Sequence, residues 1–239
     1  MKIINYLRLP VFLLLVFCGV SLSAQWRVGI QGGYTHNTLS ASTGYFYDWN
    51  YAPLGGFTVG VPVQYEFADW FALQADLSYI EKGYNIHRSG FFNGVYTNIK
   101  NGYLQLPVYT HFSFGGNKLR GFLNLGAYGG YWLSSKREGV MPQFIEGTIY
   151  NFNERVPFDS RRDNRFEGGL LMGIGLQYQV APRVQLVAEG RYYYSLTDLQ
   201  KHYMKNQMPR YSNTLVFQIG CLVTLGNLPD KEKSSIELY

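Results

Sequence analysis

Beyond its first 24 residues the chain has little with which to do covalent or metal chemistry. Two cysteines occur in 239 residues, and only Cys221 lies past the leader, so no intrachain disulfide can form there. The four histidines, His36, His87, His111 and His202, are far apart. No HxH or HxxxH pair exists and no cysteine stands beside them, which removes the usual metal-ligand spacings. Charged residues make up 15% of the chain and form no concentrated basic patch. Without residues 1–24 the chain holds 19 basic and 16 acidic residues, a formal charge of +3 and too mild a balance for nucleic-acid binding. After the leader no run of about 18 apolar residues appears, so no membrane-spanning helix is expected.

The leader reads as a secretory signal. Lys2 and Arg8 form a basic start, Val11 to Val20 an apolar core, and Ser21-Leu22-Ser23-Ala24 a small-residue cleavage region. Cys18 follows Phe17 rather than a small residue, which argues against a lipoprotein. Residues 1–24 are therefore expected to be removed, leaving a chain that starts at Gln25.

What the chain has in quantity is tyrosine, glycine and alternation. It carries 21 Tyr and 27 Gly, with 46% hydrophobic and 17% aromatic residues. Residues 57–67 set Phe57, Val59, Val61, Val63, Tyr65 and Phe67 against Thr58, Gly60, Pro62, Gln64 and Glu66, the period of two of a strand with unlike faces. The same pattern predicts eight strands, near 25–36, 56–67, 70–83, 101–114, 119–133, 166–179, 183–195 and 214–226. The joins alternate long (37–55, 84–100, 134–165, 196–213) and short (68–69, 115–118, 180–182). Tight turns on one rim and long loops on the other characterise an antiparallel barrel that spans a membrane. A soluble sandwich explains the alternation equally well. It explains neither the loop sorting nor the aromatic clusters at strand ends, such as Tyr65, Phe67, Trp70 and Phe71, with Tyr192 to Tyr194 at the opposite rim.

The expectation is an all-β, eight-stranded, antiparallel up-and-down barrel over 25–226, with a short periplasmic tail at 227–239. Such a protein would lie in the outer membrane of a Gram-negative cell, with both termini periplasmic. Pro62 and Pro107 fall inside strands, where proline removes a ladder donor, and are read as bulges or kinks.

Tyr103-Leu104-Gln105-Leu106-Pro107-Val108 resembles the YLxIPL-like signature of PorT-like outer-membrane barrels of the Bacteroidetes type. Residues 122–134, 171–178 and 189–199 are similar to that family too. The resemblance implies a small outer-membrane barrel and, through the name-giving members, a link to secretion; it brings no catalytic residues.

With apolar residues facing lipid, the opposite face presents Arg27, Glu66, Asp76, Arg120, Glu167, Glu189 and Arg191, with several glutamines. Eight strands leave an interior just wide enough for side chains, so this set is expected to plug the lumen; a narrow ion path is the alternative. No cofactor or metal is implied. An enzyme is not expected, although some small barrels modify lipid. His111 on the inner face beside Tyr109, and His36 with Ser40 and Asp48 in a loop, would be its candidates. The long loops are the better place for function. Tyr45, Tyr47, Trp49 and Tyr51 in the first, and Arg161 and Arg162 in the third, could contact lipopolysaccharide phosphates or a protein or glycan, or could be solvated. Partners are therefore outer-membrane lipid and lipopolysaccharide, with a possible protein at the loops and no nucleic acid. An accessory role in secretion is the second reading.

Overall fold

The structure, a computed structural model, describes residues 25–41, 49–90, 93–142, 149–201 and 210–226. The leader, the tail 227–239, Tyr45, Tyr47, Asp48 and His202 lie outside them. Nine strands form among the described residues, not eight: β1 (Gln25–Ala41), β2 (Trp49–Ala68), β3 (Phe71–Arg88), β4 (Tyr96–Gly115), β5 (Leu119–Pro142), β6 (Ile149–Arg155), β7 (Phe166–Ala181), β8 (Val184–Ser195) and β9 (Arg210–Leu225).

All neighbours are antiparallel, in the order β4-β3-β2-β1-β9-β8-β7-β5-β6, and a further β4–β5 pairing closes the ring. The additional strand is β6, which sequence patterning places in a loop. It pairs with the upper part of β5, from Lys136↔Arg155 to Pro142↔Ile149. The lower part of the same β5 edge, 119–131, pairs with β7. The ring wall is thus eight strands around, with β6 riding above β7.

The expected alternation sets the faces. Ile30, Leu77, Ile174 and Ile219 are exposed on the outside, while Gln74, Asp76, Glu189 and Arg191 are buried inside. A protein surface this apolar all round is suited to hydrocarbon, not water. Aromatic rings mark both edges of the apolar band. At the short-turn rim a chain of contacts runs Trp26–Tyr65, Tyr65–Phe67, Phe67–Phe71 and Phe71–Phe112, at centroid distances of 4.8, 4.7, 5.6 and 5.3 Å. The other edge carries Tyr34, Phe166 and Tyr194, all outward. Trp26 and Tyr34 are eight residues apart, roughly 27 Å along a strand and roughly 20 Å along the membrane normal at a tilt of about 40°. That approaches the ~25 Å apolar band of outer-membrane barrels.

Most strands run well past this upper girdle. β1 continues seven residues beyond Tyr34, and β5 eleven beyond Tyr131. Much of the predicted long loops is therefore strand, because each extension keeps a hydrogen-bonded neighbour; β1 remains paired with β9 up to Ala41↔Arg210. β7 and β8 stop at the girdle, so the raised wall has a notch above them. Segments 156–165 and 196–201 fold across that notch, joined by Asn164 N–H to Leu199 C=O at 3.0 Å and Lys201 N–H to Arg162 C=O at 2.8 Å.

The short turns fall at 68–71, 115–119 and 181–184, and Gly115 at φ 129° supplies a backbone conformation that L side chains rarely adopt. Both ends of the barrel meet at this rim, with Gln25↔Glu66 and Trp26↔Leu225 in register. The two strand prolines are not bulges. Register is unchanged across Pro62 (Val28↔Val63, then Gln31↔Gly60) and across Pro107 (Ala75↔Val108, then Ser78↔Gln105). Each interrupts one ladder locally while the other neighbour stays paired, as Pro62↔Asp76 and Pro107↔Tyr128 do. The register shift in this region lies at Gly102/Tyr103, opposite Leu133.

Candidate functional site: a polar plug and the rim above it

Three tiers of polar side chains cross the lumen. The central tier is organised by Arg191, 1% exposed. Arg191 and Glu189 are two apart on β8 and so share its inner face. Nε and Nη2 of Arg191 donate to the two oxygens of Glu189, at 3.0 and 2.8 Å. Nη1 donates to Asp76 Oδ2 at 2.8 Å and to the Tyr193 hydroxyl at 3.0 Å, and Nη2 also to the Tyr109 hydroxyl at 2.6 Å. The five contacts match the five N–H donors of a guanidinium.

The acids are equally engaged. Asp76 accepts from Gln31 and Gln74, each at 2.8 Å, and from Tyr109. Glu189 accepts from Asn124 and Gln218, each at 2.8 Å. Two acids facing one base are thus held by amide and phenol donors, which is how buried charge is made tolerable. Asp76 on β3 and Arg191 on β8 stand four strands apart in the ring, so the pair ties opposite walls. Room for it comes partly from Gly173 on β7, where a Cβ would collide with Glu189 Oε1. A void at this level, lined by residues including Gln31, Gln74 and Glu189, measures ≈ 20 Å³.

The upper tier centres on Lys82, also 1% exposed. Its Nζ lies 2.5 Å from Glu167 Oε1, which also accepts from Tyr128 Oη at 2.7 Å. The rings of Tyr128, Tyr103 and Tyr193 surround the ammonium at 4.8, 5.4 and 5.7 Å, a cation–π cage. Patterning alone singles out Glu167 but misses Lys82, although it continues the even-numbered inward series of Gln74, Asp76 and Ser78. With Lys82 added, the seven charges expected in the lumen become four acids and four bases.

The tier at the short-turn rim holds Arg27, paired with Glu66 at 2.7 Å, and Arg120, which reaches the Ser113 carbonyl at 3.5 Å. His111 is buried here. Nδ1 lies 2.8 Å from Asn124 Oδ1 and Nε2 3.1 Å from Gln177 Oε1. Asn124 spends its NH2 on Glu189, so its oxygen receives the Nδ1 proton. Both ring nitrogens face amide oxygens, and Tyr109, expected beside His111, is committed to Asp76 and Arg191. His36, the last residue of the first predicted strand, lies in β1 opposite Leu215, on the outward face with Tyr34; Ser40, expected in the loop beside it, is in the same strand.

Above the plug, the predicted loop residues separate. Tyr51 packs edge-on against Tyr84 at 5.9 Å, and the Trp49 backbone pairs with Arg88. Arg161 is exposed, whereas Arg162 grips Asp163 through Nε at 2.7 Å and Nη2 at 3.0 Å. Burial works against ionisation of Asp163. The hydrogen bonds from Arg162 and the Asp159 N–H outweigh it and hold the carboxyl below its ordinary value.

Residues 21–201 match the outer membrane protein beta-barrel domain family. The chain belongs to that family. Barrels of this family are outer-membrane proteins, and the apolar band with its two aromatic girdles is the physical counterpart of that location. No curated protein matches the chain. Among solved structures it is similar to the Escherichia coli outer membrane protease OmpT (9% identity, 86% of this chain and 99% of that one, TM-score 0.50). Neisserial surface protein A is another (16% identity, 85% and 99%, TM-score 0.43). So is OprG of Pseudomonas aeruginosa (12% identity, 87% and 99%, TM-score 0.47). At these identities the likeness concerns the fold alone.

Proposed function

We propose that the protein is a non-conducting, non-enzymatic outer-membrane barrel that serves envelope structure or surface interaction through its long-loop rim. The observation that carries this reading is the cross-lumen Arg191 centre. A barrel used for passage would keep water along its axis, and here the axis is filled by side chains that hydrogen-bond to one another. The raised wall above the girdle offers the surface for partners. In this reading the short-turn rim with both barrel ends is periplasmic, the apolar band contacts lipid, and rim cations such as Arg161 meet lipopolysaccharide phosphates. A protein partner would dock at the same rim. His111 is buried between the amides of Asn124 and Gln177 and His36 lies on the outer face, which argues against a lipid-modifying centre built on either.

Purified protein reconstituted in a planar bilayer is expected to show no unitary current steps above leak. A steady open pore in the unmodified protein would overturn the plugged reading. The second reading, an accessory of a secretion machine, rests on the PorT-like stretches at 103–108, 122–134 and 189–199. Copurification of a defined multiprotein complex from mildly solubilised membranes would favour it over a stand-alone barrel.

A further inference from the structure

The outer wall changes chemistry abruptly above the upper girdle. In register, Lys100 on β4 lies opposite Lys136 on β5, and Lys136 lies opposite Arg155 on β6. Residues directly opposite in antiparallel neighbours share a face. Their chain neighbours Ile99 and Arg137 line the cavity inside the raised wall, so the three cations point outward. We propose that this row docks the phosphorylated headgroup of an outer-leaflet glycolipid, whose acyl chains lie on the apolar wall beneath it. This assignment rests on the outer-membrane reading above and narrows its lipopolysaccharide contact to one site on the wall.

Like charges directly opposite one another weaken a sheet, and here two such pairs stand in line. Charge on an edge strand can serve to repel a stray strand, but that role needs charge on β6 alone. At this level β4 and β5 are paired on both sides, through Gly83↔Lys100, Lys100↔Lys136 and Lys136↔Arg155. The acids nearby do not neutralise the row. Glu138 reaches Lys100 at 3.4 Å, an open pair that screens little. Glu154 faces inward to Arg137, and Glu81 sits lower on β3, opposite Gly102. Lys136 and Arg155 are exposed, and no acid among the described residues forms an ion pair with either.

Spacing and depth select the occupant. Strands lie about 4.8 Å apart, so the row spans roughly 10 Å, a width that one sugar-phosphate headgroup covers. Lys136 stands three residues above the outward Leu133. That is roughly 10 Å along the strand and roughly 8 Å along the membrane normal at a tilt of about 40°. A hydrocarbon core of about 30 Å lies within a bilayer of about 40–45 Å, so this is headgroup depth. The row is at the lower end of the β5–β6 ladder, whose top pair is Pro142↔Ile149, and so belongs to the wall. Beneath it Leu104, Leu106 and Leu125 remain outward and exposed. A free anion meets only the cations; a lipid with a phosphorylated headgroup meets both surfaces.

The test uses the full barrel in detergent micelles, native mass spectrometry and two probes, diphosphorylated lipid A and the same lipid with its phosphates removed. Wild type is expected to retain one lipid A per barrel, about tenfold more strongly than the dephosphorylated lipid. Lys136→Gln/Arg155→Gln should lose about tenfold for lipid A alone. The single Lys136→Gln, expected to lose about threefold, serves if the pair fails to assemble. Arg161→Gln on the rim should change neither lipid. Inorganic phosphate should displace no more lipid A than sodium chloride of equal ionic strength. Equal retention of the two lipids by wild type, specific displacement by phosphate, or unchanged retention by the Lys136 variants would overturn the proposal. Loss in Arg161→Gln with those variants unchanged would put the lipid contact at the rim, removing this site while leaving the proposed function standing.

Discussion

Replacing Arg191 with methionine should lower the stability of the assembled barrel by roughly 3–5 kcal/mol, the usual cost of removing one partner from a buried charge network. The substitution leaves Asp76 and Glu189 inside the lumen without the cation that bridges them, and the hydroxyls of Tyr109 and Tyr193 without a donor they accept from. Guanidinium titration of protein folded into lipid vesicles would measure the loss. The triple variant Asp76→Asn/Glu189→Gln/Arg191→Met should recover most of it, because removing all the charges together spares the stranded ones. An Arg191→Met barrel within about 0.5 kcal/mol of wild type, a difference typical of ordinary surface changes, would show that the network does not hold the walls together.

The second large effect belongs to the outer face. Ile30 is 69% exposed and lies midway between Trp26 and Tyr34 on β1. If that stretch crosses the hydrocarbon, Ile30→Arg places a charge near the bilayer midplane and should cost roughly 2–4 kcal/mol. Ser40→Arg lies on the same face of the same strand but above the upper girdle, and should cost less than about 1 kcal/mol. The contrast matters more than either value. Exposed positions in water tolerate arginine equally at both sites, so matched effects in the same vesicle titration would remove lipid from the account.

Where the membrane imposes a rule, the sequence was legible. Between the girdles each strand must turn an apolar face to lipid and a polar face inward, and Phe57 to Phe67 or Val184 to Tyr192 display this directly. Above the girdle both faces meet water or one another, so the alternation fades although the hydrogen-bond ladders continue. That is why β6 and the ends of β1, β2 and β5 read as loop, and Ser40 with them. Inside the lumen, parity was sufficient for Asp76, Glu189 and Arg191. It would have been sufficient for Lys82 had the inward series of β3 been followed two residues past Ile80. Tyr193 was hidden between Tyr192 and Tyr194, since a run of three tyrosines suggests a girdle when only its first and last members face out. The change of face on β5 after Trp132 arises from the register shift at Gly102/Tyr103, a pairing between segments about 30 residues apart that no local pattern carries. Arg88, Arg137, Arg162 and Arg210, which line one cavity inside the raised wall, come from four separate stretches of chain, and their convergence is equally absent from any local pattern.

The central claim is a ring closed by β4 and β5 in the outer membrane, and the most direct measurement is gel migration of the outer-membrane fraction with and without boiling. A closed, internally hydrogen-bonded barrel should resist detergent at room temperature and run as a compact band that shifts on boiling. Identical migration of the two samples, with the protein released among soluble periplasmic proteins, would contradict the barrel.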